Sequence, residues 1–121
     1  RRGIHYESEY VFFHDEERFY ERVYVEDIYY IEKIKSTHYC KVIYNTGEGI
    51  VRADIKHLEG NLGATLYKVK ASTLINLKHV WRIYMDKRLI YFTKDIYCTF
   101  SAKNSRRIKE ELRVNFVAGH C

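Results

Sequence analysis

Apolar and polar positions alternate along most of this chain, and the alternation predicts strands. Tyr10, Val11, Phe12 and Phe13 form a first apolar run. Residues 18–24 alternate charged with aromatic or aliphatic side chains and predict a second strand. Val25-Glu26-Asp27 reads as a tight connection into a third strand over residues 28–34, with Ile28, Tyr30 and Ile34 on its buried side. Lys35-Ser36-Thr37-His38 breaks the pattern, and residues 39–44 return. Asn45-Thr46-Gly47-Glu48-Gly49 supplies turn chemistry, with Gly47 free to take a positive φ. Ile50-Val51-Arg52 then begins another strand.

The period changes after Asp54. Ile55, Leu58 and Leu62 fall at helical spacing, Asp54 is placed to cap the helix, and Gly60 or Gly63 ends it. Strands are expected again over residues 66–69, 80–84, 89–93 and 96–100, with Asp86-Lys87-Arg88 turning a hairpin. Ser101 is placed to cap a last helix over residues 102–114. Ala102, Ser105, Ile108 and Leu112 share one side of it, and Lys103, Arg106, Arg107 and Lys109 spread over the rest. The expected fold is mostly β and mostly antiparallel, with one short middle helix and a C-terminal helix. Residues 1–121 show no internal repeat and no linker, so one domain is expected, with its core in about residues 10–116.

Composition agrees with that class and narrows it. Twelve Tyr, six Phe and no Pro suit pleated, half-buried surfaces. No apolar run approaches the roughly 18 residues of a membrane span. The acidic stretch over residues 7–21 has no apolar segment of the signal-peptide kind. A cytoplasmic chain is expected, with Cys40, Cys98 and Cys121 as free thiols. The chain starts at Arg1 and its only methionine is Met85, so a fragment of a longer protein is expected, its missing part upstream.

Several kinds of chemistry are disfavoured. No CxxC or HxxxH spacing exists, so no zinc site is expected. No GxxxxGK or GxGxxG motif exists, and no cofactor is expected. His38 and Cys40 are two apart and would point the same way on a strand. Neither a third orienting residue nor a Gly-rich oxyanion loop accompanies them, so an enzyme is not expected.

Charge distribution is the stronger signal. The chain carries +5 overall, but residues 1–32 hold four Lys/Arg against nine Asp/Glu, or −5. Residues 60–109 hold eleven against two, or +9. Such asymmetry predicts a basic face toward an anionic partner, nucleic acid first and a membrane surface second.

The ordered landmarks resemble a LytTR-type DNA-binding domain of bacterial response regulators. They are Val25-Glu26-Asp27-Ile28-Tyr29-Tyr30-Ile31-Glu32, the Asn45 to Gly49 turn, Leu58-Glu59, and Arg88-Leu89-Ile90-Tyr91-Phe92 with the terminal helix. The densest match spans residues 66–80, where the family favours a basic residue, a His-Arg-Ser-like triplet, two apolar residues and Asn-Leu. Lys68, Lys70-Ala71-Ser72, Leu74-Ile75 and Asn76-Leu77 stand there. The resemblance implies an elongated multi-stranded fold that reads duplex DNA with loops in major grooves. It also implies an upstream receiver domain, two-component transcription regulation with quorum sensing among its settings, and paired or repeated DNA sites on which a homodimer can form. No membrane partner is implied.

Three loops carry over: the one after the third strand, the one before Leu74, and the one opening the last helix. His38, Lys103, Asn104 and Ala71 are the implied base contacts. Long polar side chains can donate to guanine or pair with adenine, and the Ala71 methyl can meet a thymine methyl. Lys35, Ser36, Thr37, Lys68, Lys70, Ser72, Arg106 and Arg107 are candidates for phosphates, as is Lys109. Ser72 is equally placed to cap a short turn over residues 73–76. Lys78, His79 and Arg82 could line the duplex, Asn76 would satisfy backbone groups, and Trp81 is expected to pack in the core or at an edge rather than stack a base. Two alternatives stay open. One is a single-stranded nucleic-acid-binding β module stacking bases on Tyr39 and Tyr44. The other is a protein-interaction module using the acidic N-terminal third.

Overall fold

A computed structural model describes residues 10–14 and 20–120, with side chains described at Tyr10 and at 20–113. Among the described residues, ten strands and two α-helices follow one another, in the order the patterning predicts except for the strand over residues 73–75. The strands are β1 (Tyr10–His14), β2 (Tyr20–Tyr24), β3 (Ile28–Lys33), β4 (Tyr39–Tyr44) and β5 (Gly47–Arg52). After α1 (Ile55–Leu62) come β6 (Tyr67–Lys70), β7 (Thr73–Ile75), β8 (Arg82–Tyr84), β9 (Leu89–Tyr91) and β10 (Tyr97–Thr99). Helix α2 (Ser105–His120) closes the chain. Residues 18 and 19 of the expected second strand, and Cys121, lie outside the described residues.

Every strand pair is antiparallel. A central sheet runs β5-β4-β3-β7-β6, beside a β10-β9-β8 sheet and the β1-β2 hairpin. The central sheet is buried on both faces. On one face Ile28, Ile31, Cys40, Val42 and Leu74 pack with Ile55, Leu58 and Leu62 of α1. On the other, Tyr30, Ile43, Val69 and Ile75 meet Ile90, Phe92, Cys98 and Phe100, and Ile108 of α2. The alternation in β4 is the cause, since Val42 and Ile43 point to opposite faces and each meets a core.

Helix α1 forms as its sequence predicts. Asp54 accepts from the His57 amide at 2.8 Å, and the three apolar residues at helical spacing are buried. Each stabilises the fold by about 1.5–3 kcal/mol.

Local readings fail where a neighbour decides. Ile31 is fully buried on β3, while Ile34 is half-buried and lies beyond the strand. A register shift between Ile28 and Tyr30 turns Ile28 and Ile31 to the same face. Gly47 belongs to β5, and no described glycine has a positive φ, because a two-residue Asn45-Thr46 turn already closes the hairpin. Residues 73–75, read as part of a turn, form β7, because β3 and β6 both pair with them. The last helix begins with a 3₁₀ turn, Ala102–Asn104, which leaves Ala102 exposed. The Ser101 hydroxyl does not cap a backbone amide there; it accepts from the Asn104 side chain at 2.6 Å.

Candidate nucleic-acid interface

Antiparallel pairing brings distant turns to one end of the central sheet. Strand β3 pairs with β4 on one side and β7 on the other, so its last residue meets the turn that precedes β7. The Lys33 amide donates to the Ser72 carbonyl at 2.9 Å. Across β6, the Ser101 amide donates to the Val69 carbonyl at 3.2 Å. The β3–β4 turn, the β6–β7 turn and the loop opening α2 are therefore neighbours, as the three-loop reading requires.

The β3–β4 turn is held by Thr37. Its hydroxyl donates to the Ile34 carbonyl at 2.7 Å and accepts from the Tyr39 amide at 3.1 Å. Thr37 thus builds the turn rather than offering its hydroxyl outward. Lys35, Ser36 and His38 are exposed, and Ser36 sits at a φ of +63°. A non-glycine residue there is sterically disfavoured, so Thr37 and the flanking strands enforce the conformation.

In the β6–β7 turn, Ala71 is exposed and Ser72 half-buried. The Ser72 hydroxyl lies 3.4 Å from that of Thr73. Lys70 reaches across the molecule: its ammonium donates to the Thr99 hydroxyl at 2.5 Å and lies 3.9 Å from Glu32. Lys68 lies 3.5 Å from Glu59 of α1. Both lysines stiffen the elements behind the turn, while Ala71 forms its surface.

The loop opening α2 is the most heavily bonded of the three. Asn104 donates through Nδ2 to the Val69 carbonyl at 2.9 Å and to Ser101 Oγ at 2.6 Å. Its Oδ1 accepts from Arg107 Nη2 at 2.9 Å. Both amide protons of Asn104 are thus used inside the protein, an arrangement that positions the loop. Arg107 also donates to the Lys68 carbonyl at 3.1 Å and lies 5.2 Å over the Tyr67 ring. Lys103 and Arg106 are exposed. No acidic residue occupies the first turn of α2. Arginines there oppose the positive end of the helix macrodipole, a placement that favours an anion nearby.

The same end holds cations that patterning did not single out. Arg52 pairs opposite Tyr39, and its guanidinium lies 5.7 Å over that ring. Lys33 ends β3 beside Ser72. The β4–β5 register was the signal that could have found Arg52.

Other expectations part from the geometry. Lys78 and His79 follow β7 and so lie at its far end from Ser72, where His79 donates to the Glu26 carbonyl at 2.7 Å. Asn76 is buried there and bonds the Glu26 carbonyl and the Lys78 amide, as expected. Trp81 is at an edge and not in the core: it is 53% exposed, its amide donates to the Tyr91 carbonyl at 2.8 Å, and the Arg82 guanidinium lies 4.4 Å over its ring.

Cys40 is buried and donates to the Ala53 carbonyl at 3.2 Å, while His38 lies exposed in the turn before β4. The two are therefore not on one strand and do not pair. Burial pushes the Cys40 thiol up and raises Cys98 to about 12. Both cysteines are free. Among the described residues no His, Cys, Asp and Glu cluster is arranged to hold a metal ion. Nor is any described helix long and apolar enough to cross a membrane.

Comparison with known proteins agrees with this architecture. A family described as the LytTr DNA-binding domain matches residues 19–113. Among solved structures, a LytTr DNA-binding domain from Bacillus cereus, named as part of a methyl-accepting/DNA response regulator, superposes with a TM-score of 0.73. At 16% identity, the likeness covers 85% of this chain and 95% of that one, and it shows the fold. No curated protein matches.

Proposed function

The chain belongs to the LytTr family of DNA-binding domains, and on that premise we propose that its three clustered turns bind double-stranded DNA with sequence preference. The carrying observation is the convergence of those turns at one end, fixed by backbone bonds from Lys33 to Ser72 and from Ser101 to Val69. His38, Ala71 and Lys103, all exposed at that end, face base edges in major grooves. His38 and Lys103 supply hydrogen bonds, and Ala71 supplies a methyl group for thymine.

Phosphates set the register. Lys35, Ser36, Ser72, Arg106 and Arg107 hold the backbone, and Arg52 extends that set. Lys68 and Lys70 add positive charge behind the turns while bracing them against Glu59 and Glu32. Asn104 and Thr37 act by positioning. A rigid frame matters because a donor held in place loses little freedom on binding.

In the wider protein, the domain serves as the output of a response regulator, with a receiver upstream and repeated sites bound by two copies. The name of the Bacillus cereus relative supports the response-regulator part of this reading. The single-stranded reading loses one of its two platforms, because the Tyr44 ring is buried and its hydroxyl donates to Glu21 at 3.0 Å.

Selection from random duplex DNA, followed by anisotropy titration of the enriched motif, tests the proposal. The enriched duplex should outcompete both random duplex and single strands. The logarithm of affinity should fall with the logarithm of salt by about 0.9 per phosphate contacted. Equal competition by single strands would overturn the duplex assignment.

A further inference from the structure

We infer that the turn between β8 and β9, residues 85–88, is a fourth attachment point for the DNA, with Lys87 and Arg88 on backbone phosphates flanking the three-turn site. This rests on the duplex-binding reading above and extends its footprint. The turn belongs to a different sheet from the first two, yet the Phe100 amide donates to the Arg88 carbonyl at 3.2 Å. Phe100 immediately precedes Ser101, whose amide bonds Val69. The Arg88 turn is thereby stitched to the loop that presents Lys103.

Two observations point to an anion there. Arg88 holds a φ of +56°, one of two described non-glycine residues with a positive φ. The other is Ser36, in the first proposed DNA-contacting turn. Glycine or asparagine would take this conformation at less steric cost, so the local backbone gives no reason for an arginine.

The second observation is the surrounding charge. A groove between this turn and α2 is lined by Arg106, Lys109 and Arg113, with Asp86 and Glu110 as its acids. Asp86 is partly engaged, accepting from the Lys87 amide at 3.0 Å. Cations thus continue from the Lys103 loop across the groove to Lys87 and Arg88, both exposed.

Phosphate is favoured over a base edge by position, because the turn lies across the groove from Arg106, Lys109 and Arg113, outside the three turns proposed to read bases. Among the described residues no hydrogen bond or ion pair holds the Arg88 guanidinium, and Lys87 has only the Tyr84 ring at 5.8 Å. Outside the reading turns, a cation gains from a nearby phosphate without being aimed at one base.

Arg88→Gly tests this with little risk to folding, because glycine suits a positive φ. The enriched duplex is titrated over a salt series with wild type, Arg88→Gly, Lys87→Ala and Lys103→Ala. Expected for Arg88→Gly is a several-fold loss on specific and random duplex alike, a salt slope shallower by about 0.9, and hydroxyl-radical protection shortened at one flank. Thermal melts check that the variant is folded. Unchanged affinity and slope for Arg88→Gly and Lys87→Ala, with Lys103→Ala weakened, would overturn the fourth contact alone. A loss confined to the selected sequence would overturn the phosphate assignment. Failure of wild type to bind any duplex would overturn the underlying duplex reading instead.

Discussion

The side-chain amide of Asn104 donates to the main-chain carbonyl of Val69 at 2.9 Å, joining the start of the last helix to the end of β6. The same amide bonds Ser101, and its oxygen receives Arg107. One short polar side chain therefore ties together two of the loops proposed to meet DNA.

Asn104→Ala should lower unfolding free energy by about 1–3 kcal/mol, because it leaves partly buried partners without their bonds. It should also weaken binding to selected and random duplex by similar factors, since both loops lose their mutual placement. Urea melts and paired titrations measure the two effects. A loss of discrimination at one base pair, with stability unchanged, would return Asn104 to the role of a base reader.

Lys103→Ala should behave differently. An exposed lysine removed from the loop surface should leave stability within about 0.5 kcal/mol. Binding to the selected site should fall by roughly 1–3 kcal/mol, with much less change on random duplex. Equal losses on both would assign Lys103 to the backbone.

Ile108→Ala addresses the platform beneath the loops. Ile108 is fully buried and packs α2 against the second core. Truncation should destabilise the domain by about 2–5 kcal/mol, read as a lower melting temperature. Below that temperature the selected duplex should still bind.

Stability should fall in alkali. Burial pushes both the Tyr30 hydroxyl and the Cys98 thiol up to about 12, from ordinary values of 10.0 and 9.0. Between pH 9 and 12 the unfolded chain therefore sheds protons that the folded chain keeps, and unfolding becomes easier as pH rises. The neutral forms are compatible with the fold, so their stabilising contribution is complete below pH 9. In Cys98→Ala the decline should be shallower between pH 9 and 10, where the buried Cys40 thiol still contributes and Tyr30 has yet to titrate. Urea midpoints at pH 8, 9.5 and 11 give the comparison; the same profile in wild type and Cys98→Ala would remove the thiol from it.

Legibility followed range. Nine of the ten strands, α1 and its Asp54 cap were visible because they depend on residues a few positions apart. The errors clustered where a second contact intervened. Ile31 became core because the sheet is covered on both faces. Residues 73–75 became a strand because β3 and β6 flank them.

The chain alone determined its alternating strands, its uneven charge and the positions of its exposed basic turns, because side-chain period and turn chemistry act locally. Tertiary structure decided which polar groups remain available. Lys70 finds Thr99 at a separation of 29 residues, and Asn104 finds Val69 at 35. A hydrogen bond satisfied within the protein no longer offers that donor to DNA, and such partners are fixed only when strands distant in sequence come together.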